Sequence, residues 1–165
     1  GIRHLRMSRG LGDVYKRQEL FLSSENTLMI NAPLVCDDTL QTNDIARIYP
    51  DGSFTILGRK DNVINSGGIK VQAEEIERLL QSSIPVPFVI TSVPDRRLGQ
   101  AVTLLIEGQM EISALGTKLE SVLASYYRPK YIYTVNHIPQ TGNGKINRKE
   151  CRVLAESLQL LGRQE

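Results

Sequence analysis

The sequence predicts an α+β fold. Strand-like runs outnumber helical ones, only three segments carry helical period, and the two types alternate without the steady strand–helix–strand repeat of a doubly wound sheet. No internal repeat or low-complexity segment interrupts the pattern.

The elements follow in order from Glu19. Leu28-Met29-Ile30 and Leu34-Val35 are short apolar runs separated by Asn31-Ala32-Pro33. Ile45–Tyr49 and Ser53–Leu57 flank Pro50-Asp51-Gly52, a turn sequence that makes them a hairpin. A short strand, Asn62–Asn65, then meets Ser66-Gly67-Gly68 and Ile69-Lys70-Val71, which fits a second hairpin. Ala73–Gln81 reads as a helix: Ile76, Leu79 and Leu80 share a face, and Glu74, Glu75 and Glu77 lie near its N-terminal end. Pro85 and Pro87 end that element, and Phe88-Val89-Ile90 and Ala101–Ile106 are buried-type strands. Ile112, Leu115, Leu119, Val122 and Leu123 mark a second amphipathic helix, and Tyr131–Val135 a further strand. Asn147, with Glu150 three residues on, suits a capping box for a last helix whose core face is Cys151, Leu154 and Leu158.

Composition excludes several classes of function. The chain of 165 residues is 41% hydrophobic and 23% charged, ordinary for a globular protein, and lacks tryptophan for a base-stacking surface. Its net charge of +2 is misleading, because residues 1–18 hold five basic side chains against Asp13 alone. Residues 19–165 therefore carry −2, which is no footprint for nucleic acid. No apolar run approaches the roughly 18 residues of a membrane span. Cys36 and Cys151 share no motif and are expected to be reduced, which suits a cytoplasmic location. His4 and His137 lie far apart without thiol or carboxylate clusters, so no zinc site is expected. Residues 1–18 are basic and without period, and read as a non-native leader of cloning origin.

The loop Pro139-Gln140-Thr141-Gly142-Asn143-Gly144-Lys145-Ile146 places one lysine on a glycine-hinged turn. Glycine permits positive φ and close approach to a ligand, and lysine brings a compact charge suited to phosphate or carboxylate oxygens. A Walker A loop is ruled out, because Ile146 follows Lys145 and the upstream glycine is too close. A dinucleotide fingerprint fails at Asn147, where a third glycine or alanine is needed.

Four spaced features remain: Thr42-Asn43-Asp44; Gly58-Arg59-Lys60-Asp61; Ser66-Gly67-Gly68-Ile69-Lys70 running on to Glu74-Glu75-Ile76-Glu77; and the Lys145 loop. In this order and spacing they resemble the acyl-adenylate-forming superfamily of acyl-CoA synthetases, adenylation domains and luciferases, over about residues 19–160. The resemblance implies a small C-terminal domain, residues 61–165, with a three-stranded antiparallel sheet packed by helices. Residues 19–60 would be the β-rich tail of the large domain.

The activity implied is that of an AMP-forming acid–thiol ligase. A carboxylic acid attacks the α-phosphate of ATP, with Mg²⁺ held mainly by the large domain, and the thiol of coenzyme A then displaces AMP. Asp44 aligns with the aspartate that accepts hydrogen bonds from the ribose hydroxyls, the alternative being an Asx-turn. Asn43 stands where the family has glycine, a change that a left-handed turn tolerates. Arg59 matches an arginine near ribose and phosphate, the alternative being a surface ion pair. Asp61 falls at the family hinge, and Gly67 and Gly68 would line the pantetheine tunnel unless they only turn a hairpin. Lys145 matches the lysine that stabilises charge in the adenylation step. Asp95–Gln100 and Arg128-Pro129-Lys130-Tyr131 match structural stretches of the family, with Arg128 replacing a leucine and expected to be exposed. His137 is expected to pack without a partner.

The family's Ser/Thr/Gly-rich phosphate loop and acyl pocket are not found in this chain, so the expectation is a C-terminal fragment that does not turn over alone. The run Gly58–Gly68 is most similar to o-succinylbenzoate–CoA ligases of menaquinone synthesis. Another acyl- or aryl-CoA synthetase or an adenylation domain is the alternative; the chain's end soon after Leu158, with no carrier domain, disfavours the latter. A different class of reading is a stand-alone accessory module, against which the unpaired strand edges of residues 19–57 argue.

Overall fold

The computed structural model describes residues 18–33, 36–110 and 112–162. The expected leader, apart from Gln18, and the run Leu34-Val35 lie outside these residues. Two compact units divide the chain between Asp61 and Asn62.

In the first unit, strands β1 (Glu19–Leu22), β2 (Thr27–Asn31), β3 (Leu40–Ile48) and β4 (Phe54–Arg59) form an antiparallel sheet in sequential order. The Pro50-Asp51-Gly52 turn closes β3 onto β4, with Gly52 at φ +79° and Asp51 Oδ1 accepting from the Ser53 amide at 3.0 Å. The hairpin register pairs Asp44 with Arg59 and then shifts between Ile45 and Ala46. Such a bulge re-aims side chains beside it. A 3₁₀ turn, Lys60–Asn62, follows.

The second unit holds β5 (Val63–Ser66), β6 (Ile69–Gln72), α1 (Ala73–Leu80), β7 (Phe88–Asp95), β8 (Gly99–Glu107), α2 (Ile112–Val122), β9 (Tyr131–Val135) and α3 (Arg148–Leu161). The five strands form one sheet, not the three-stranded antiparallel sheet expected from sequence. The difference comes from β8. β7 covers one of its edges, while the other carries β5 at Gly99 and β9 from Thr103 to Glu107. β9 runs parallel to β8, so the sheet is mixed; α2 makes the crossover that a parallel connection requires.

Period-two alternation along β8 explains the layers. Val102, Leu104 and Ile106 point to a core with Ile76 and Leu80 of α1 and Leu115 and Leu119 of α2. Ala101 and Leu105 point the other way, to Val89, Val93, Cys151 and Ala155. A strand buried on both faces reads as a near-continuous apolar run, which is what Ala101–Ile106 is, broken only by the buried Thr103. α3 therefore packs on one face of the sheet, and α1 and α2 on the other. Asn147 caps α3 by accepting from the Glu150 amide at 3.3 Å. The Asn147 amide bonds instead to the Pro139 carbonyl, 2.8 Å away, so the capping box is one-sided.

Candidate functional site

The β3–β4 hairpin gathers three of the residues singled out in the sequence. Asp44 and Arg59 are cross-strand partners, with Arg59 Nε 3.8 Å from Asp44 Oδ1. Arg59 Nη2 lies 3.5 Å from Asp61 Oδ2, to which Asn43 Nδ2 also donates at 3.4 Å. Asp44 does not form the Asx-turn that was its alternative reading. The local turn is made by Thr42, whose Oγ1 accepts from the Asp44 amide at 3.2 Å and donates to the Leu28 carbonyl at 2.9 Å. The Asp44 carboxylate stays 42% exposed beside the arginine. An exposed carboxylate paired with a fork of donors can accept from hydroxyls while the guanidinium meets an anion.

In the second unit, the tight turn between β5 and β6 needs both of its glycines. Gly67 and Gly68 have φ of +61° and +85°. A Cβ on Gly67 would come within 3.2 Å of Leu98 Cδ2, whereas a Cβ on Gly68 would meet no protein atom within 4 Å. The Gly67 amide bonds to the Leu98 carbonyl at 2.8 Å, fastening this turn to the β7–β8 turn. That second turn hangs on Asp95. Its Oδ1 accepts from the amides of Arg97 and Leu98 at 2.9 and 3.0 Å, and its Oδ2 takes Lys130 Nζ at 2.5 Å. The Lys130 hydrogen bond and the two amides hold the Asp95 carboxyl well below the usual carboxylate range.

The lysine loop leaves β9 and returns as a miniature hairpin. Gln140 and Ile146 bridge across it, and the Gly144 amide bonds to the Thr141 carbonyl at 2.9 Å with Gly144 at φ +73°. Lys145 is exposed, and its ammonium makes no hydrogen bond or ion pair among the described residues. Beneath the loop, burial pushes the Cys151 thiol up to about 11, so it stays protonated.

Several contacts escaped the sequence. Arg148 grips Glu77 through Nη1 at 3.0 Å and Nη2 at 2.7 Å, tying the start of α3 to α1. Arg128 is exposed as expected, yet it donates to the carbonyls of Leu123 and Glu120 at the end of α2. His137 is exposed on the surface, with its Nδ1 3.6 Å from Glu107 Oε1, beyond hydrogen-bond reach. Among the described residues no cluster of His, Cys, Asp and Glu could hold a metal ion, and no helix is long and apolar enough to cross a membrane.

No protein-family model matches the chain. Individual proteins do. Triostin synthetase I of Streptomyces triostinicus is 38% identical over 126 residues, covering 73% of this chain and 24% of that protein. The 2-succinylbenzoate–CoA ligase of Lactococcus lactis is 33% identical over 113 residues, covering 68% of this chain and 25% of that protein. The crystal structure of an AMP-forming acyl-CoA synthetase/AMP-acid ligase II-like protein from Dyadobacter fermentans is 30% identical and superposes with a TM-score of 0.54. That superposition covers 81% of this chain and 40% of the other.

The chain belongs to the AMP-forming, acyl-adenylate-forming synthetase/ligase superfamily. It spans about a quarter of the length of the curated relatives it matches, and corresponds to a C-terminal portion of them. The second unit of this superfamily member departs from the simple sheet anticipated, while the order of its elements agrees with the expectation from the sequence.

Proposed function

We propose that this chain is the C-terminal segment of an ATP-dependent acid–CoA ligase, and that Lys145 acts in the adenylation step. The carboxylate oxygen of the acid attacks the α-phosphorus of ATP, pyrophosphate leaves, and an acyl-adenylate forms. The sulfur of coenzyme A then attacks the acyl carbon, AMP leaves, and the thiol proton passes to solvent. The observation that carries the reading is the Lys145 ammonium, exposed on a closed hairpin and without a partner among the described residues. A positive charge presented there stabilises the negative charge that grows between carboxylate and phosphorus.

The remaining roles agree with the chemistry of their surroundings. Asp44 accepts from the ribose hydroxyls, and Arg59, already between two carboxylates, reaches the phosphate side. Asp61 is the hinge between residues 19–60, the tail of the large domain, and residues 61–165, the small one. Gly67 and Gly68 line the path of the pantetheine arm, where the open space above Gly68 leaves room for a ligand. Mg²⁺ would be held by the rest of the enzyme. The acid proposed is o-succinylbenzoate, supported by the 33% identity to a 2-succinylbenzoate–CoA ligase and by the run Gly58–Gly68. A place in menaquinone synthesis and a cytoplasmic location follow from that assignment.

The test uses the intact enzyme carrying this segment. Lys145→Ala is expected to lower ATP–pyrophosphate exchange by roughly a hundredfold or more, while thioester formation from preformed adenylate persists. Equal loss of both half-reactions defeats the assignment. Thioester formation from fatty or aryl acids, with none from o-succinylbenzoate, rejects the substrate alone. The 38% identity to triostin synthetase I favours, as a second reading, an adenylation domain whose acceptor is a carrier-bound thiol rather than free coenzyme A. Comparison of the two acceptors separates them.

A further inference from the structure

A lysine side chain has four methylenes between its charge and the backbone, so the charge can only be placed as well as residue 145 is anchored. Misplacement of a reacting group by about 1 Å can cost roughly a hundredfold in rate. Three residues, two of them glycine, separate Lys145 from Thr141, and a Cβ on either glycine would meet nothing within 4 Å. The tip therefore has no packing of its own to stiffen it.

The stiffness comes from Thr141. Its amide donates to the Lys145 carbonyl at 2.7 Å. Its hydroxyl lies 3.2 Å from the same carbonyl and 3.3 Å from the Lys145 amide. One hydroxyl donates one proton and accepts through its lone pairs, so both bonds form together. The Thr141 carbonyl meanwhile takes the Gly144 amide at 2.9 Å. Both peptide groups of Lys145 thus close on a single side chain, in an exposed loop where water competes for every one of these bonds.

We propose that Thr141 is the positioning residue of the adenylation lysine: its hydroxyl clamps the Lys145 backbone and thereby aims the ammonium. This rests on the reading of Lys145 given above. The hydroxyl is consumed by the loop itself, which separates a positioning role from direct contact with the nucleotide. It also predicts that the clamp serves the first half-reaction only.

In the intact enzyme, Thr141→Val keeps the β-branched shape and one of the three bonds, and Thr141→Ser keeps all three. Thr141→Val is expected to lower kcat for ATP–pyrophosphate exchange by roughly ten- to a hundredfold, with KM for ATP and the melting temperature unchanged. Thr141→Ser restores the rate, and thioester formation from preformed adenylate is the same in all three proteins. Thr141→Ala gives the same readings should valine disturb the turn. A wild-type exchange rate in both the valine and alanine variants overturns the proposal. So does equal loss in both half-reactions, which marks a merely structural residue. A raised KM with unchanged kcat overturns it too, because the hydroxyl would then be a nucleotide contact. Failure of the wild-type enzyme to exchange pyrophosphate at all would instead sink the adenylation reading itself.

Discussion

Glu77 and Arg148 face each other as a two-pronged pair, Oε1 to Nη1 at 3.0 Å and Oε2 to Nη2 at 2.7 Å, across 71 residues of chain. Glu77 Oε1 also accepts the Ile90 amide at 2.9 Å, and Arg148 Nη1 lies 3.3 Å from the Ile90 carbonyl. Helix α1, strand β7 and the first residue of α3 are thereby joined at Arg148, three residues past Lys145; Arg148 Nη2 also lies 3.7 Å from Glu74 Oε1. The pair sets where the lysine hairpin rejoins the body of the second unit.

Removing one member should cost more than removing both. Arg148 is 27% and Glu77 19% exposed, so Glu77 left without Arg148 is only partly rehydrated, while Arg148 left without Glu77 still has Glu74 at 3.7 Å. Arg148→Met or Glu77→Leu alone is expected to destabilise the unit by about 2 kcal/mol, less than the full penalty of a buried pair. The double variant should recover part of that loss. Urea unfolding of the four proteins measures it, and additive single effects would show that the two side chains are energetically independent.

Gly68 separates strain from ligand contact. At φ +85°, Gly68→Ala should cost about 1–2 kcal/mol from the left-handed backbone alone, visible as a lowered melting temperature. Since the new methyl meets no described atom of this chain within 4 Å, a further loss confined to the thioester step would point to a ligand passing over the turn. Thioester formation should fall while pyrophosphate exchange is kept. Loss of exchange with the thioester step intact would move the pantetheine path away from this turn.

Acid should loosen the β7–β8 turn. The Asp95 carboxyl is depressed in the folded chain, chiefly by Lys130, so its stabilising effect is complete above the unfolded carboxylate value of about 4. The effect is then lost as pH falls from there toward the lower folded value. Urea midpoints of the wild type should drop below about pH 4, and Asp95→Asn should flatten that part of the profile. Parallel acid profiles for the two proteins would remove Asp95 from this role.

Much of this protein could be read along its chain. Apolar period placed every helix and nearly every strand, because burial on one face imposes 3.6 or 2.0 on the residues themselves. The Lys145 loop stands out by its own residues, whereas Asp44, Arg59, Gly67 and Gly68 stand out only through the resemblance of their motifs to adenylate-forming enzymes; the structure puts Asp44 and Arg59 opposite each other on one hairpin. Thr141 lies in the lysine loop, but its hydroxyl bonds form only once the turn folds back on it.

What the sequence alone determined were elements and local chemistry: an α+β chain, two glycine turns and a lysine on a hinged loop. Pairing partners were left to the tertiary structure. Nothing in Tyr131–Val135 states that it will lie parallel on the free edge of β8, since a strand's hydrogen bonds come from the backbone, which is the same in every strand. Long-range ion pairs such as Glu77–Arg148 are equally silent, because surface-type residues become neighbours only after the core has brought their helices together. Side-chain pattern writes which face is buried; closure of the chain in space decides what it is buried against.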